Sequence, residues 1–233
     1  MKFLIVNADD FGYGAAVNRG IAETIDRGIV SSVGLMVNTP GTAEAVSMAR
    51  ARPQLSLGLH ANFTNEAQRL VEFDDPAVCR AALREQFDRF CDLVGRKPTH
   101  LDSHQHIHRR RPCNPSFLEL SLEHGIPLRD QPPVAFKGGF YGQWEYGVSD
   151  PSQVSYEALE KILGNELTRG VYELACHPGY FDPQAEYVYH RDREAELRTL
   201  TDPRTRALLL RLGLRHISYH QLPDAIRALA DER

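Results

Sequence analysis

The chain has 233 residues, which fits one large domain better than two, and its 42% hydrophobic and 25% charged residues are typical of a globular protein. A formal net charge of −4, without a basic stripe interleaved with aromatic residues, argues against a nucleic-acid-binding function. The first apolar run, residues 3–6, is too short for a signal peptide or a membrane span, so we expect no membrane association.

Four cysteines are present, and none of them forms a C-x-x-C pair. Their spacing does not indicate a disulfide framework, so we expect free thiols and a cytoplasmic protein. The cysteines are Cys79, Cys91, Cys113 and Cys176.

Short apolar runs alternate with amphipathic stretches along the chain, which is typical of strands alternating with helices. In chain order we predict a strand at Phe3–Val6, a helix at Ala15–Arg27, a strand at Ser32–Val37, a helix at Thr42–Ala51, a strand at Ser56–Leu59, a helix at Pro76–Val94, a strand at Thr99–Leu101, a helix at Ser116–Glu123, a brief strand at Pro127–Arg129, a helix at Tyr156–Thr168 and a strand at Val171–Ala175.

The C-terminal third is predicted to be mostly helical, with a short strand near Arg215–Ile217. The alternation favours an α/β fold in which helices cover a parallel sheet, and its regular repetition favours a barrel-like closure. No G-x-G-x-x-G follows the first strand, so the usual dinucleotide-binding fold is not indicated. We therefore expect a single catalytic domain over residues 1–233.

Residues 131–154 interrupt the alternation, because they are rich in proline, glycine and aromatic residues. Loops of this length inside a compact domain are usually functional or mobile. We predict that this segment forms a lid or rim loop. Its aromatic side chains could stack on a ligand or pack on the rim of the barrel.

Candidate catalytic residues follow four of the predicted strands. In parallel α/β folds the carboxyl ends of the strands collect the functional residues. The adjacent carboxylates of Asp9 and Asp10 repel each other unless a cation or a proton is near, although a turn with a helix N-cap would also explain them. His60 ends a second strand, and His177 stands in a turn where an imidazole could act as a general acid.

The segment after the fourth of these strands holds His100, Asp102, His104, His106 and His108, spaced by two residues. An extended chain would point all five side chains to one side. Neighbouring members would lie roughly 6–7 Å apart, so only one or two of them could bind one ion. The others would orient ligands or substrate.

Together these motifs resemble the YdjC-like carbohydrate deacetylases, which include chitooligosaccharide deacetylases. The matching pieces are NADDFG at 7–12, GLH at 58–60, KPTHLDSHQHIH at 97–108 and HPG at 177–179. The resemblance implies a barrel-like fold of about seven parallel strands, similar to the NodB-type polysaccharide deacetylases. It also implies an N-acetylated amino sugar as substrate and a possible homodimer.

The resemblance further implies the roles of individual residues. Asp10, His60 and His104 look like ligands of one divalent metal ion, Mg²⁺ or Zn²⁺, with Asp9 as the general base and His177 as the general acid. Residues expected to contact the substrate or support the site are Asp102, His106, Arg129, Tyr141 and Trp144.

Other functions stay open at this point. A metal-dependent hydrolase of a non-sugar amide and a non-catalytic metal- or sugar-binding relative would use the same residues. A retaining glycosidase is disfavoured, because adjacent aspartates cannot easily flank a glycosidic bond. The chain also departs from the chitooligosaccharide enzymes, whose stretch after the residue equivalent to His60 is longer, and this puts chitobiose as the substrate in doubt.

Overall fold

The computed structural model describes residues 1–66, 68–165, 167–184 and 188–231. Within them lie nine strands, of which seven form one sheet and two form a small hairpin. The strands are β1 (Lys2–Phe11), β2 (Ser32–Leu35), β3 (Ser56–Ala61), β4 (Thr64–Asn65), β5 (Gln68–Arg69), β6 (Leu101–Ser103), β7 (Val134–Lys137), β8 (Gly170–Cys176) and β9 (Leu214–His216).

The seven-stranded sheet has the order β6-β3-β2-β1-β8-β7, and β9 pairs with the first residues of β1. Every pairing in this sheet is parallel. All strands therefore end at the same edge, which is where the sequence places its acidic residues and histidines. The strands β4 and β5 pair antiparallel, apart from the sheet.

The sheet is strongly curled. Strands β6 and β8 are four positions apart, which in a flat sheet would separate them by about 19 Å. Nevertheless, Asp102 on β6 and Glu173 on β8 both lie 2.6 Å from the same nitrogen of Arg129. The predicted fold is thus confirmed as a parallel sheet curled into a half-barrel with helices around it.

Helices cover the outside of the sheet. The longest begins at Pro76, where the side chain of Asp75 accepts a hydrogen bond from Ala77 N, and it ends before Gly95 in a left-handed conformation (φ 79°). The helices are α1 (Ala15–Arg27), α2 (Thr42–Arg50), α3 (Pro76–Val94), α4 (Asn114–His124), α5 (Tyr156–Asn165), α6 (His190–Thr201), α7 (Pro203–Arg211) and α8 (Leu222–Asp231). No helix of the described ranges is long and apolar enough to cross a membrane.

Two hydrophobic clusters hold the strands and helices together. Side chains of β1 alternate between them, because successive residues of a strand point to opposite faces. Leu4 and Val6 belong to the larger cluster, and Phe3 and Ile5 belong to the smaller one, which lies against α8. The middle strand of the sheet is therefore buried on both faces.

The structure corrects the sequence predictions in three segments. Residues 131–154 are not a loop throughout, since they contain β7 and a 3-10 turn at Pro151–Val154. Pro127–Arg129 is not a strand, although Leu128 makes one isolated bridge to Leu101. The helix predicted at Tyr156–Thr168 ends at Asn165, residue 166 lies outside the described residues, and residues 167–168 are not helical.

The predicted extended run from His100 to His108 is also wrong. Strand β6 ends at Ser103, and His104–Arg109 forms a 3-10 turn in which Gln105 and His106 have φ values of 50° and 52°. Because the chain coils here, the spacing of two no longer places the side chains on one side.

Candidate active site

A cavity of about 430 Å³ opens at the carboxyl edge of the sheet. Its lining includes side chains from four strand ends, from the segment 131–154 and from α6. Eight of the lining residues were candidates from the sequence: Asp9, Asp10, His60, His104, His106, Tyr141, Trp144 and His177. The curled sheet has thus brought together residues that are up to 168 positions apart in the chain.

Asp10 lines this cavity and contacts two of its histidines. The pairing of β1 with β2 shifts between Ala8 and Phe11, and Asp10 has a left-handed backbone with φ 67°. Such an irregularity turns a side chain away from the regular alternation of the strand. The Oδ1 atom of Asp10 lies 3.2 Å from His60 Nε2 and 2.9 Å from His104 Nδ1. Asp10, His60 and His104 therefore present three possible ligand atoms within 4.8 Å of one another.

His60 is oriented by a second carboxylate. Its Nδ1 lies 2.7 Å from Asp102 Oδ1, whereas its buried Nε2 makes no hydrogen bond within the described residues. A carboxylate on one ring nitrogen fixes the tautomer that leaves the other nitrogen free for a metal. Burial lowers the pKa of His60, but Asp102 and Asp9 outweigh it and raise the pKa to about 10, so the surroundings favour a positive charge there.

A second set of possible ligands consists of Asp9, His60 and Asp102. These two carboxylates already have a cation, because Arg129 contacts both of them and is 1% exposed. Asp102 also lies outside the cavity lining. Asp10 also has a cationic partner, since Arg193 donates to its Oδ2, but its Oδ1 lies beside His60 and His104. Because all three residues of this set line the cavity, it is the better place for an added cation.

Arg129 holds Asp9 in a two-pronged ion pair. Its Nη1 and Nη2 donate to Asp9 Oδ2 and Oδ1, both at 2.7 Å, and Asn7 Nδ2 donates to Oδ1 at 2.7 Å. Burial raises the pKa of Asp9, but the guanidinium lowers it more, so the pKa lies well below its usual range. On its other side Arg129 donates to Glu173 Oε1 at 2.6–2.9 Å. Asp9 is thus ionised and fixed in position.

His177 lies close to both Asp9 and Glu196. Its Nε2 is 3.8 Å from Asp9 Oδ2, its Nδ1 is 3.8 Å from Glu196 Oε1, and its side chain is 22% exposed. Burial lowers the pKa of His177, but the carboxylate of Glu196 raises it more, so the net shift is upward. A histidine whose pKa is raised and that lines a cavity suits a general acid.

The turn that carries His177 is held by close backbone packing. Gly20 of α1 lies directly beneath Gly179, and a Cβ atom on Gly20 would lie 2.4 Å from Gly179 Cα. Gly179 N also donates to Arg193 O of α6 at 3.2 Å. Glycine at position 20 is therefore required for the turn to approach the helix this closely.

The other histidines of the 100–108 segment are separated by the coil of the chain. His100 stacks on Tyr219 with ring centroids 4.1 Å apart, away from the cavity. His108 is buried and contacts Ser103 Oγ through Nδ1 at 2.8 Å. His106 lines the cavity, and burial together with Arg129 lowers its pKa to about 3, so it is neutral. Only His104 of this group contacts Asp10.

The aromatic residues of the segment 131–154 separate into two kinds. Phe140 is fully buried, and Tyr141 stacks on Tyr189 with ring centroids 4.4 Å apart while its edge meets His177 at 5.3 Å. Trp144 and Tyr146 are 69% and 70% exposed. Phe140 belongs to the main hydrophobic core, whereas Tyr141, Trp144 and Tyr146 all line the cavity.

Three charged residues of the site were not found from the sequence. Arg193 of α6 donates to Asp10 Oδ2 at 2.6 Å, Glu196 lies one turn further beside His177, and Glu173 supports Arg129 from inside the sheet. Charged residues on a helix are usually exposed, so nothing in the sequence of α6 marks two of them as buried. Glu173 interrupts an apolar strand, which was the one available signal.

Comparison with known proteins places this geometry in a family. The profile of the YdjC-like proteins matches residues 3–211. The chain is 32% identical to carbohydrate deacetylase 2 of Listeria innocua serovar 6a, over 94% of this chain and 98% of that protein. It is also 32% identical to a chitooligosaccharide deacetylase of Serratia marcescens, over 95% and 99%.

Solved structures show the same fold. A protein of Enterococcus faecalis V583, provisionally named as a cellobiose-phosphate cleavage protein, superposes with a TM-score of 0.75 at 24% identity, over 95% of this chain and 98% of that one. A polysaccharide deacetylase of Bacillus cereus gives 0.59 at 13% identity, over 95% and 93%. A family 4 acetyl xylan esterase of Clostridium thermocellum, solved with a cobalt ion, gives 0.53 at 12%, over 95% and 90%.

Proposed function

The chain belongs to the YdjC-like protein family, and on that premise we propose that it is a metal-dependent carbohydrate deacetylase acting on an N-acetylated amino sugar. One observation carries the proposal. Asp10, His60 and His104 meet in one cavity beside an ionised Asp9 and beside His177, whose pKa is raised by Glu196. A cation site, a base and an acid around one space are what hydrolysis of an unactivated amide requires.

The residues present fit a divalent cation. One carboxylate oxygen and two imidazole nitrogens leave coordination positions open for water and substrate, as catalytic sites do. Two imidazoles suit Zn²⁺ and related ions better than Mg²⁺, although both remain candidates. When bound, the cation would polarise the acetyl carbonyl and lower the pKa of water.

Asp9 would accept a proton from the attacking water. The pair of hydrogen bonds from Arg129 orients its carboxylate and keeps it ionised at neutral pH. The same charge makes Asp9 a weak base, because its pKa lies far below that of an ordinary carboxyl group. Asp9 therefore contributes position more than basicity.

His177 would donate a proton to the departing amine. Glu196 raises the pKa of the imidazole, which favours its protonated form, and Tyr141 contacts the ring in a T-shaped arrangement. His177 Nε2 lies 3.8 Å from Asp9 Oδ2. The base that accepts a proton from water and the acid that donates one to the amine would therefore act on the same amide bond. Acetate and a free amino sugar would be the products.

The test is acetate release from a panel of N-acetylated amino sugars. The protein is stripped of metal and then restored with Zn²⁺, Mg²⁺, Mn²⁺ or Co²⁺. We expect no acetate from the stripped protein and restored release from at least one sugar class with one of these ions. The same panel includes N-acetylated amino acids as the matched non-sugar amides.

Three results would contradict the proposal. Release from the amino acids but from no sugar would identify a non-sugar amidase that uses the same residues. Absence of release from every compound, with one metal ion per chain measured directly, would identify a binding protein. Full release by the stripped protein would remove the metal from the reaction.

A further inference from the structure

A buried guanidinium lies beside the candidate metal ligands. Arg193 of α6 is 3% exposed and lines the cavity together with Asp10, His60 and His104. Its Nη2 donates to Asp10 Oδ2 at 2.6 Å. Arginine side chains are almost never fully buried unless they are paired, and this one is paired with a group that would itself bind a metal ion. A positive charge at a place that would receive a second cation has a cost for metal binding.

Arg193 joins two parts of the site. While its Nη2 contacts Asp10, its Nη1 donates to the backbone oxygen of His177 at 3.2 Å. The backbone oxygen of Arg193 also accepts a hydrogen bond from Gly179 N at 3.2 Å. Arg193 therefore contacts both the carboxylate of the candidate metal site and the turn that carries the candidate acid.

Aromatic rings and close packing hold the guanidinium in this position. Its Cζ lies 5.9 Å from the ring centroid of Tyr13 and 5.6 Å from that of Tyr189. Cations are attracted to aromatic rings within about 6 Å of the ring centroid. The side chain also packs closely on the turn, since a Cβ atom on Gly179 would lie 3.1 Å from Arg193 Cδ. Arg193 therefore has little freedom to move away from Asp10.

The two oxygens of Asp10 have different partners as a result. Oδ2 accepts the hydrogen bond from Arg193, whereas Oδ1 lies 3.2 Å from His60 Nε2 and 2.9 Å from His104 Nδ1. A carboxylate can bind a cation through one oxygen or through both. With Oδ2 engaged by the guanidinium, a cation beside His60 and His104 would have Oδ1 as its carboxylate ligand.

The charge of Arg193 also opposes an added cation. Among the three candidate ligands Asp10 supplies the one negative charge, and the guanidinium offsets it. Asp10 and Arg193 are at most 3% exposed, so water and salt screen their fields only weakly. A cation at this place would therefore be bound more weakly than one beside an unpaired carboxylate, and it would keep more of its positive charge for the substrate.

We propose that Arg193 is a positioning residue that leaves Asp10 one oxygen for the metal ion and, through its charge, weakens metal binding while it raises the reactivity of the site. The proposal rests on the proposed function, since it concerns the same metal site. Partners that only orient a ligand strengthen metal binding, and their loss typically lowers the affinity about 10–100-fold. A guanidinium that opposes the ion predicts the opposite sign. Metal affinity and turnover should therefore change in opposite directions when Arg193 is replaced.

The test measures metal affinity and turnover in the same variants of the full chain. Arg193→Gln removes the charge and keeps a hydrogen-bond donor. We expect its affinity for Zn²⁺, measured by calorimetric titration of the metal-free protein, to rise at least about tenfold, because a buried repulsive charge is gone. We expect its kcat for acetate release to fall about 10–100-fold, because Asp10 and the His177 turn lose their common partner.

Two further variants separate charge from geometry. Arg193→Lys keeps the positive charge but loses the planar fork that reaches two acceptors, so its Zn²⁺ affinity should stay close to that of the unaltered protein. Arg198→Gln removes a positive charge from the same helix, where the side chain is 67% exposed and pairs with Glu194. It should change neither metal affinity nor kcat, since exposed charges are screened.

The outcomes separate this proposal from the proposed function. Lower Zn²⁺ affinity together with lower kcat in Arg193→Gln would overturn the role of the charge and leave the deacetylase standing, and so would higher affinity with unchanged kcat. If Arg193→Gln does not fold, a loss of affinity in Arg193→Lys would overturn the proposal in the same way. Higher affinity in Arg193→Gln, with no acetate released from any sugar by the unaltered protein, would support the effect on metal binding and overturn the enzymatic function. Failure of the unaltered protein to bind any of the four ions would overturn both.

Discussion

The two halves of β1 are almost equally buried but differ in chemistry. In the first half, Phe3, Leu4, Ile5 and Val6 are at most 5% exposed and pack in two apolar clusters. In the second half, Asn7, Asp9 and Asp10 are at most 2% exposed and pack against guanidinium and imidazole groups. One strand thus passes from an apolar core into a buried network of charges.

The difference shows how the fold divides stability from function. Apolar burial at the amino end stabilises the sheet without requiring partners. Buried carboxylates at the carboxyl end are costly unless each is paired, and here Arg129 and Arg193 pair them. The comparison predicts that changes at the carboxyl end act on activity and metal binding, whereas changes at the amino end act on stability.

The largest effect on activity is expected from His60→Ala. It removes one of three candidate ligands and leaves Asp10 and Asp102 without the positive charge between them. Metal affinity should fall by more than the roughly 10–100-fold typical for loss of a supporting partner. Titration of the metal-free protein with Zn²⁺, monitored by calorimetry, measures the metal affinity.

Asp102→Asn is the matched control, since it keeps the ligand set and removes only the carboxylate behind His60. It should show the smaller loss of about 10–100-fold. Equal metal affinity in His60→Ala and the unaltered protein would place the metal elsewhere.

The next largest effect is expected from His177→Ala. Loss of the general acid should lower kcat by at least about 10²-fold, while KM and metal affinity stay near their original values. Steady-state acetate release with the restored metal measures both constants. Turnover close to normal would remove His177 from the role of acid.

A smaller effect is expected from Glu196→Gln, and it should be visible in the pH profile. Glu196 raises the pKa of His177, so the protonated acid persists to higher pH than an ordinary histidine would allow. Removing the negative charge lowers this pKa, and the alkaline limb of kcat/KM should therefore move to lower pH. An alkaline limb at the original pH would show that another group controls it.

The smallest effect on activity is expected from Leu4→Ala, at the opposite end of the same strand. Leu4 is fully buried, and its loss should lower the free energy of unfolding by about 2–5 kcal/mol. Asp9 lies five residues away, or about 17 Å along a strand, so metal affinity and kcat of the folded protein should not change. Denaturant unfolding and metal titration of the same sample test both statements.

Much of this molecule is readable from its sequence, because the relevant signals are local. The strand predicted at Val171–Ala175 and the helices predicted at Ala15–Arg27 and Pro76–Val94 follow from apolar periodicity and from turn residues. The parallel arrangement then requires that the strand ends carrying Asp10 and His60 meet at one edge. The fold and the centre of the site needed no knowledge of distant contacts.

Other features depend on how the sheet curls. The strand Val134–Lys137 lies in a segment that the sequence predicts as a loop, since its pairing with β8 is a long-range contact that its own residues do not signal. Gln105 and His106 have left-handed backbones, which are rare for residues of these types. They turn the chain after β6, so that the histidines of this segment no longer lie on one side.

The sequence by itself determined which residue types reach the carboxyl edge of the sheet, because strand periodicity and chain order are local properties. Only the tertiary structure decided which of them touch. Arg129 contacts Asp9, Asp102 and Glu173, because the curled sheet brings together strands that are far apart in the sequence. The packing of α6 on the sheet places Arg193 beside Asp10 and Glu196 beside His177. The charge balance of the site therefore belongs to the fold.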